Sequence, residues 1–294
     1  MFRVKRVQDT KSGYYVEQAY LTKTKRLEYD EESCIGCGIC ETVCPKEAIS
    51  LTEAKVENGR MKARAKVEID PSKCIMCGTC VVFCPSGALR ATEDGEKMVP
   101  VLENEAMPRL RKNITVDSER CDISCELRCA EECLVDAINV ETRQEGGETE
   151  IVGVEVDTSK CIYCSKCAAA CPFGLIYVEM PFEGKVTIET EKCPDGCRAC
   201  VDSCPSGALE LDSGEKPVVD LEFCILCSAC EVVCPEDAVK VERTSVAYEP
   251  VKSGAWFKAL EKLTSYAVLT RELEKEALER RRGVVEETYS RRLA

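Results

Sequence analysis

The chain has 294 residues, including 24 cysteines and no histidine, and its formal charge at pH 7 is −13. The lack of histidine excludes histidine-ligated haem, Rieske clusters, Cys/His zinc fingers and imidazole acid–base catalysis. The acidity argues against nucleic acid as a partner, because a basic face carries that affinity.

The high cysteine content allows two interpretations, a disulfide framework or a metal protein. Disulfide-rich domains are usually short and secreted, whereas this chain is long and its start, MFRVKR, has no apolar segment of a signal peptide. No stretch approaches the roughly 18 apolar residues of a membrane span. We therefore expect a cytoplasmic protein with reduced thiols, and metal that supplies folding energy because aromatic residues make up only 5% of the chain.

In chain order, the sequence predicts an N-terminal docking segment (residues 1–26), three modules (27–100, 101–182 and 183–244) and a helical tail (245–294). Each module contains two repeats. In each repeat, a short strand that alternates Val, Ile or Leu with polar residues precedes a cysteine loop and a short helix, and a second strand follows. The predicted fold class is α+β, with short antiparallel strands and short helices around the cysteine loops.

The cysteines fall into six groups of four, which we number motif 1 to motif 6. Motifs 1, 2, 4 and 6 read C-x2-C-x2-C-x3-C-P, the bacterial ferredoxin run, in which three cysteines ligate one [4Fe–4S] cluster and the fourth ligates another. We therefore predict six [4Fe–4S] clusters in tandem two-cluster ferredoxin modules, with no catalytic residue and no cofactor ligand beyond the cysteines. In chain order the predicted ligands are Cys34, Cys37, Cys40 and Cys44; Cys74, Cys77, Cys80 and Cys84; Cys121, Cys125, Cys129 and Cys133; Cys161, Cys164, Cys167 and Cys171; Cys193, Cys197, Cys200 and Cys204; and Cys224, Cys227, Cys230 and Cys234.

The residues between the cysteines suit a loop that wraps a cluster. Gly36, Gly38 and Gly78 permit tight turns and leave amides free to donate to sulfur. The proline after the fourth cysteine turns the chain away after ligation. Zinc sites usually combine one C-x2-C pair with a distant second pair, so a third cysteine two residues further on disfavours zinc.

Motifs 3 and 5 depart from this pattern. Motif 5 has one extra residue in its first loop and keeps Pro205. Motif 3, CDISCELRCAEEC, is spaced by four throughout and has Leu134 where a proline is expected. Spacing by four also fits a helical stripe that has lost its cluster, but the matching flanks and the four retained thiols favour an enlarged cluster loop.

The pairing of motifs has two candidate schemes. Sequential pairing joins motifs 1 and 2, 3 and 4, and 5 and 6, because only a short gap separates Cys204 from Cys224. It places Cys84 on the cluster of motif 1 and Cys44 on the cluster of motif 2. Nested pairing joins motif 4 with motif 5 and motif 3 with motif 6, and the similarly short gap after Cys171 keeps it open.

Residues 27–243 resemble the polyferredoxins of methanogenic archaea, on the strength of the six motifs. Two further segments, ITVDSERCDISCELRCAEEC and SGAWFKALEKLTS, are similar to the polyferredoxin subunit of tungsten- or molybdenum-dependent formylmethanofuran dehydrogenase. Members of that family often carry eight motifs, whereas this chain has six, so the resemblance implies a shorter wire that contacts different partners.

The resemblance implies a non-catalytic, electron-transfer subunit of an anaerobic oxidoreductase complex. In that family the subunit carries low-potential electrons to the tungstopterin or molybdopterin site that reduces carbon dioxide in methanogenesis. The implied partners are the catalytic and small ferredoxin subunits of the complex. Two alternatives remain: a polyferredoxin of a hydrogenase or heterodisulfide reductase, and a structural or iron–sulfur storage protein.

The tail contains no ligand but carries an apolar set at helical spacing that must be buried against something. Because the modules are small, we expect a partner subunit to cover it; the alternative is that the tail folds back on the chain's own modules, helped by its arginines. The apolar set is Trp256, Leu260, Leu263, Ala267, Leu273, Ala277 and Leu278, and the arginines are Arg280, Arg281, Arg282, Arg291 and Arg292.

Overall fold

The computed structural model describes residues 4–145, 148–251, 253–265, 267–274, 277–278 and 281–282. The strands are β1 (Val4–Asp9), β2 (Gly13–Ala19), β3 (Thr24–Asp30), β4 (Ile49–Leu51), β5 (Lys55–Glu57), β6 (Arg60–Ala63), β7 (Val67–Ile69), β8 (Leu89–Glu93), β9 (Glu96–Lys97), β10 (Asn113–Val116), β11 (Ile138–Glu145), β12 (Glu148–Val156), β13 (Ile176–Glu179), β14 (Phe182–Ile188), β15 (Leu209–Leu211), β16 (Pro217–Val219) and β17 (Val239–Val246). The α-helices are α1 (Ile39–Val43), α2 (Thr79–Phe83), α3 (Pro100–Glu103), α4 (Arg128–Glu131), α5 (Lys166–Ala170), α6 (Ala199–Ser203), α7 (Ala229–Val233) and α8 (Ala255–Leu263).

The predicted α+β fold of short strands and short helices is confirmed. In each motif a short helix carries the third cysteine, and it ends immediately before the fourth cysteine or, in motif 3, one residue earlier. In motif 1, Cys44 already has extended backbone (φ −65°, ψ 116°). Proline at the next position explains this ending, because the residue before a proline is disfavoured in helical conformation.

Strand pairing joins consecutive motifs. The strand before motif 1 pairs with the strand after motif 2 (β3 with β8), and the strand after motif 1 pairs with the strand before motif 2 (β4 with β7). The same outer and inner ladders recur as β10–β13 and β11–β12 around motifs 3 and 4, and as β14–β17 and β15–β16 around motifs 5 and 6. All of these pairs are antiparallel, so each two-motif module has a pseudo-twofold arrangement.

Residues 4–26 of the predicted N-terminal docking segment belong to the sheet of the first module, and their docking role stays a prediction. Strands β1 and β2 join the first module in a five-stranded sheet of order β1-β2-β3-β8-β9. Val16 faces Leu27 in that sheet and is fully buried, and Lys5 Nζ donates to the carbonyl oxygen of Cys74 at 2.9 Å. The predicted boundaries at 26/27, 100/101, 182/183 and 244/245 fall inside β3, α3, β14 and β17, because they followed the cysteines and ignored the strand ladders.

The expectation that a partner subunit covers the apolar tail is wrong for the first half of the tail, which packs on the chain's own modules. Trp256 on α8 is 1% exposed and stacks on Phe83 of the first module, with ring centroids 5.7 Å apart and planes 3° from parallel. Leu260 and Leu263 are buried in the same core, which also contains Leu226 of the third module. Two modules together supply the apolar surface that a single small module lacks.

The second half of the tail differs from the first. Leu273 and Leu278 are 44% and 64% exposed, and Ala267 and Ala277 are exposed as well. Arg280, Arg291 and Arg292 lie outside the described residues. Among the described residues, no helix is long and apolar enough to span a bilayer.

Candidate metal centres

The loops of motifs 1, 2, 4 and 6 share one backbone signature. The residues on both sides of the second cysteine adopt left-handed conformation, which curls the loop around the cysteines. This conformation is costly for residues with a side chain and persists only where the surroundings impose it. The residues are Gly36 and Gly38 (φ 69° and 77°), Met76 and Gly78 (57° and 83°), Tyr163 and Ser165 (58° and 67°), and Leu226 and Ser228 (53° and 75°).

Backbone amides point at the sulfur atoms. In four motifs the amide four residues after the fourth cysteine donates to its Sγ, at 3.2 Å for Ala48 to Cys44 and 3.3 Å for Ala238 to Cys234. Equivalent bonds join Ala137 to Cys133 at 3.2 Å and Leu175 to Cys171 at 3.5 Å. Thiol sulfur is a weak acceptor, so repeated donors toward it suit a thiolate.

Motifs 2 and 5 use a serine hydroxyl for the same contact. Ser86 Oγ lies 3.8 Å from Cys84 Sγ, and Ser206 Oγ lies 3.6 Å from Cys204 Sγ. Both serines are buried, at 7% and 1% exposure. They follow the proline in the repeated sequence CPSGAL.

Each fourth cysteine lies with the first three cysteines of the other motif in its module. The pKa values of Cys40, Cys167 and Cys230 reflect this arrangement. Burial raises each of them most, and neighbouring thiolates, which include the fourth cysteine of the other motif, raise them further. We name the resulting sets site 1 (Cys34, Cys37, Cys40, Cys84), site 2 (Cys74, Cys77, Cys80, Cys44), site 3 (Cys121, Cys125, Cys129, Cys171), site 4 (Cys161, Cys164, Cys167, Cys133), site 5 (Cys193, Cys197, Cys200, Cys234) and site 6 (Cys224, Cys227, Cys230, Cys204). The geometry therefore follows the sequential scheme, and the nested scheme does not match it.

Three of these sets border cavities with all four of their cysteines. These are sites 2, 3 and 6, and mostly apolar side chains complete the lining of each cavity. Within the described residues, no group of three or more histidine, cysteine, aspartate or glutamate side chains is arranged to hold a single metal ion. Four thiols spread around a hollow fit a multi-iron cube, whose corners lie apart.

The thiols cannot all ionise without a cation. Burial, followed by neighbouring thiolates, raises the pKa of Cys40 and of Cys167 to about 12. Burial raises the pKa of Cys200 to about 11. Metal ligation requires thiolates, so binding would release protons and offset this repulsion. The residues present therefore fit one [4Fe–4S] cluster at each of the six sites. The proposed ligands of each cluster are the four cysteines of its site.

Motif 3 is not a continuous helical stripe. Glu126 and Leu127 have left-handed backbone (φ 55° and 58°) and separate the short turn Ile123–Cys125 from α4. The chain therefore bends between the second and third cysteines and places them around the site 3 cavity. In motif 5, Gly196 (φ 72°) accommodates the extra residue. Both departures from the common spacing are absorbed by loop conformation.

Sites 1, 4 and 6 come together where the three modules meet. The residue after the first cysteine in motifs 1, 4 and 6 is isoleucine, and Ile35, Ile162 and Ile225 are buried in one cluster with Cys227. Cys37 of site 1 packs against this cluster, so sites 1 and 6 lie side by side. Burial, followed by the Cys227 thiolate, holds the pKa of Cys37 well above its usual value.

Two cations near this junction were missed by sequence reasoning. Arg243 of β17 is buried against sites 1 and 6. Lys112 lies near Cys84 and Cys161, between sites 1 and 4, with its Nζ 5.1 Å from the ring centroid of Tyr163. The alternation VKVERTSV does contain a signal, because Arg243 occupies the same strand face as Val239 and Val241.

Models of the 4Fe-4S dicluster domain match residues 33–88, 73–137 and 179–244, and a model of the 4Fe-4S binding domain matches residues 154–177. The second of these matches joins motif 2 to motif 3. The structure instead joins motif 3 to motif 4 through β10–β13 and through packing of α4 on α5. The strand ladder decides this point, because it records the three-dimensional pairing directly.

Among related proteins, an uncharacterized ferredoxin of Methanocaldococcus jannaschii is 40% identical over 58 residues, which cover 19% of this chain and 94% of the relative. The polyferredoxin MvhB of Methanothermobacter marburgensis is 30% identical over 94 residues, covering 27% of this chain and 23% of the relative. The chain spans only 10% to 27% of the length of three other relatives, one of which is part of a sulfite dehydrogenase from Allochromatium vinosum.

One similarity to a solved structure extends over nearly the whole chain. A chain in the formate dehydrogenase–heterodisulfide reductase–formylmethanofuran dehydrogenase complex from Methanospirillum hungatei is 33% identical, with a TM-score of 0.76. The likeness covers 90% of this chain and 92% of that one. Together with the family matches and the crossed cysteine sets, this extent establishes the family. The chain belongs to the family of proteins built from 4Fe-4S dicluster ferredoxin domains.

Proposed function

We propose that this protein is a polyferredoxin that relays low-potential electrons within a multi-subunit oxidoreductase complex and is not itself a catalyst. The single observation that carries the proposal is the likeness, over 90% of the chain, to one chain of a complex that unites three oxidoreductases. Crossed cysteine sets in three modules of the same chain support it. The acidic charge of −13 suits docking on basic partner surfaces.

The proposed cofactors are six [4Fe–4S] clusters, one at each site. When bound, such a cluster accepts and releases one electron. The chain's own residues hold the ligands in place: the left-handed loops orient the cysteines, the amides donate to sulfur, and the apolar junction packs sites 1, 4 and 6 together. A storage protein would not need sites 1, 4 and 6 to lie next to one another, because clusters that exchange no electrons have no use for close spacing.

The proposed destination of the electrons is the catalytic subunits of formylmethanofuran dehydrogenase, where carbon dioxide is reduced. Two similarities favour it: the family resemblance of ITVDSERCDISCELRCAEEC and SGAWFKALEKLTS, and the complex that contains the similar solved chain. The test is anaerobic purification of the tagged full-length chain from its native host, with mass spectrometry of the proteins that accompany it. Catalytic formylmethanofuran dehydrogenase subunits in stoichiometric amounts are expected.

A second candidate is a polyferredoxin that serves heterodisulfide reductase. It is favoured by the same solved complex, which includes that enzyme. The same purification distinguishes the two candidates. Heterodisulfide reductase subunits without formylmethanofuran dehydrogenase would contradict the first proposal, and neither complex would contradict both.

A further inference from the structure

Arg243 is a buried cation without a carboxylate partner among the described ion pairs. Its side chain is 8% exposed, and one terminal nitrogen donates to Ser228 Oγ at 3.0 Å. The guanidinium lies 5.4 Å from the ring centroid of Phe182. Its Nε has no hydrogen-bond partner among the described residues. A buried charge in such surroundings is strongly unfavourable unless something negative lies nearby.

The negative groups near Arg243 are thiolates from two modules and the carboxylate of Glu231. Arg243, Cys37 and Glu231 line one cavity, and Ser228, which accepts from Arg243, directly follows Cys227. Burial lowers the pKa of the guanidinium, and the opposing influences are, in order, Cys227, Cys37, Glu231 and Cys224. Cys37 belongs to site 1 in the first module, and Cys224 and Cys227 belong to site 6 in the third. Arginine remains protonated even when its pKa is lowered, so its charge is fixed.

Without Arg243, sites 1 and 6 would repel each other. Cys37 of site 1 packs against the buried cluster that contains Cys227 of site 6. Two four-thiolate clusters would add net negative charge on each side of this gap. Each added electron would increase the repulsion between the two sites, because like charges repel across a short distance.

We propose that Arg243 is a positioning residue that bridges sites 1 and 6, raises the reduction potentials of the clusters bound there and holds the first and third modules together. The inference rests on the proposed function only in requiring that both sites bind clusters. One-electron reduction of either cluster by its neighbour adds one negative charge, and the fixed positive charge stabilises that product. Electrons would therefore reside preferentially at this inter-module pair.

The test compares Arg243→Gln with Arg243→Lys in the full-length, cluster-loaded protein. Glutamine removes the charge but keeps a donor for Ser228, whereas lysine keeps the charge. The matched control is Lys240→Gln, which removes an exposed cation from the same strand. Iron content and redox titrations followed by electron paramagnetic resonance are measured on each protein. Signals of sites 1 and 6 are assigned from Cys37→Ser and Cys227→Ser proteins.

In Arg243→Gln we expect the reduced-to-oxidised ratio of the site 1 and site 6 clusters at fixed potential to fall at least tenfold, which is about 59 mV for one electron. The other four clusters should not shift, and Arg243→Lys and Lys240→Gln should titrate like the unaltered protein. If the glutamine variant fails to load iron, loading of the lysine variant still supports a role for the charge. Unchanged potentials at both sites, or failure of both Arg243 variants to load, would overturn the proposal.

Discussion

Sites 2 and 3 each have four thiols, but the protein buries these thiols to different extents. At site 2, Cys44, Cys74 and Cys80 are buried, beneath the five-stranded sheet that contains Leu27. At site 3, none of the four cysteines is buried, and only the two-stranded ladders β10–β13 and β11–β12 lie nearby. The comparison teaches that ligand number and enclosure are set by different parts of the sequence.

The spacing of the cysteines sets the loop, and the flanking strands set the burial. In motif 2, two residues separate each of the first three cysteines from the next, so the loop is tight and its cysteines lie close to the sheet. Motif 3 uses three-residue gaps, and five of the six residues between its first three cysteines are exposed, against one of four in motif 2. Sheet strands β1 and β2 add further cover to the first module only.

The largest expected effect comes from removal of iron by an anaerobic chelator. We expect the second module to lose its structure throughout, because its ladders have only two strands each and Tyr163 is the only buried aromatic among the described residues between β10 and β13. The five-stranded sheet and the core around Trp256 should retain partial protection. Hydrogen exchange of the apo-protein, followed by mass spectrometry, measures the difference. An apo-protein that kept one cooperative thermal transition would contradict the view that clusters are the cores of the modules.

The crossed sites predict which cluster is lost when a fourth cysteine is removed. Cys44→Ser should perturb the cluster at site 2 and spare the one at site 1, and Cys171→Ser should perturb site 3 and spare site 4. The reason is that each fourth cysteine lies with the other motif of its module. Iron analysis and electron paramagnetic resonance would measure the loss. Damage confined to the mutated motif's own first three cysteines would reject the crossing.

Different enclosure predicts different rates of cluster loss. In air or with a mild chelator, we expect a fast phase that releases about one sixth of the iron from site 3, because its thiols are the least shielded. Absorbance decay and iron release measure it. The control is Cys171→Ser, in which the fast phase should be missing. A fast phase that survives in this variant would show that exposure of site 3 does not set the rate.

The hairpin β5–β6 offers a smaller test, at the contact between the first and third modules. Gly59 has φ +72°, its carbonyl accepts from Arg198 N at 2.8 Å, and an added Cβ would lie 2.7 Å from Cys197 Cα. Gly59→Ala should destabilise the protein by about 1–3 kcal/mol and speed iron loss from site 5. Thermal unfolding of the loaded protein measures the change.

The matched control for Gly59→Ala is Gly95→Ala. Gly95 has similar backbone (φ +89°), but nothing lies within 4 Å of an added Cβ. It therefore carries the conformational cost of alanine without the contact with another module. Equal effects of the two substitutions would mean that the hairpin's contact with motif 5 contributes nothing.

Features that depend on neighbouring residues were predictable from the sequence, and those that depend on distant ones were not. The cysteine loops, the short helices and the flanking strands follow from local spacing. The pairing of β2 with β3 and the burial of Trp256 on Phe83 depend on surfaces far apart in the chain. Arg243 was missed because a lone charged residue in an alternating strand is usually exposed, whereas module packing buries this one.

The measurement that tests the central claim most directly is the iron and sulfide content of anaerobically purified, full-length protein. Six crossed sites, each with a four-iron cluster, predict about 24 iron atoms and 24 inorganic sulfides per chain. Zinc should be negligible, and site 3 should be filled despite its exposure. About 20 iron atoms per chain, unchanged by Cys171→Ser, would mean that site 3 holds no cluster, and a content near six zinc atoms without sulfide would contradict the account as a whole.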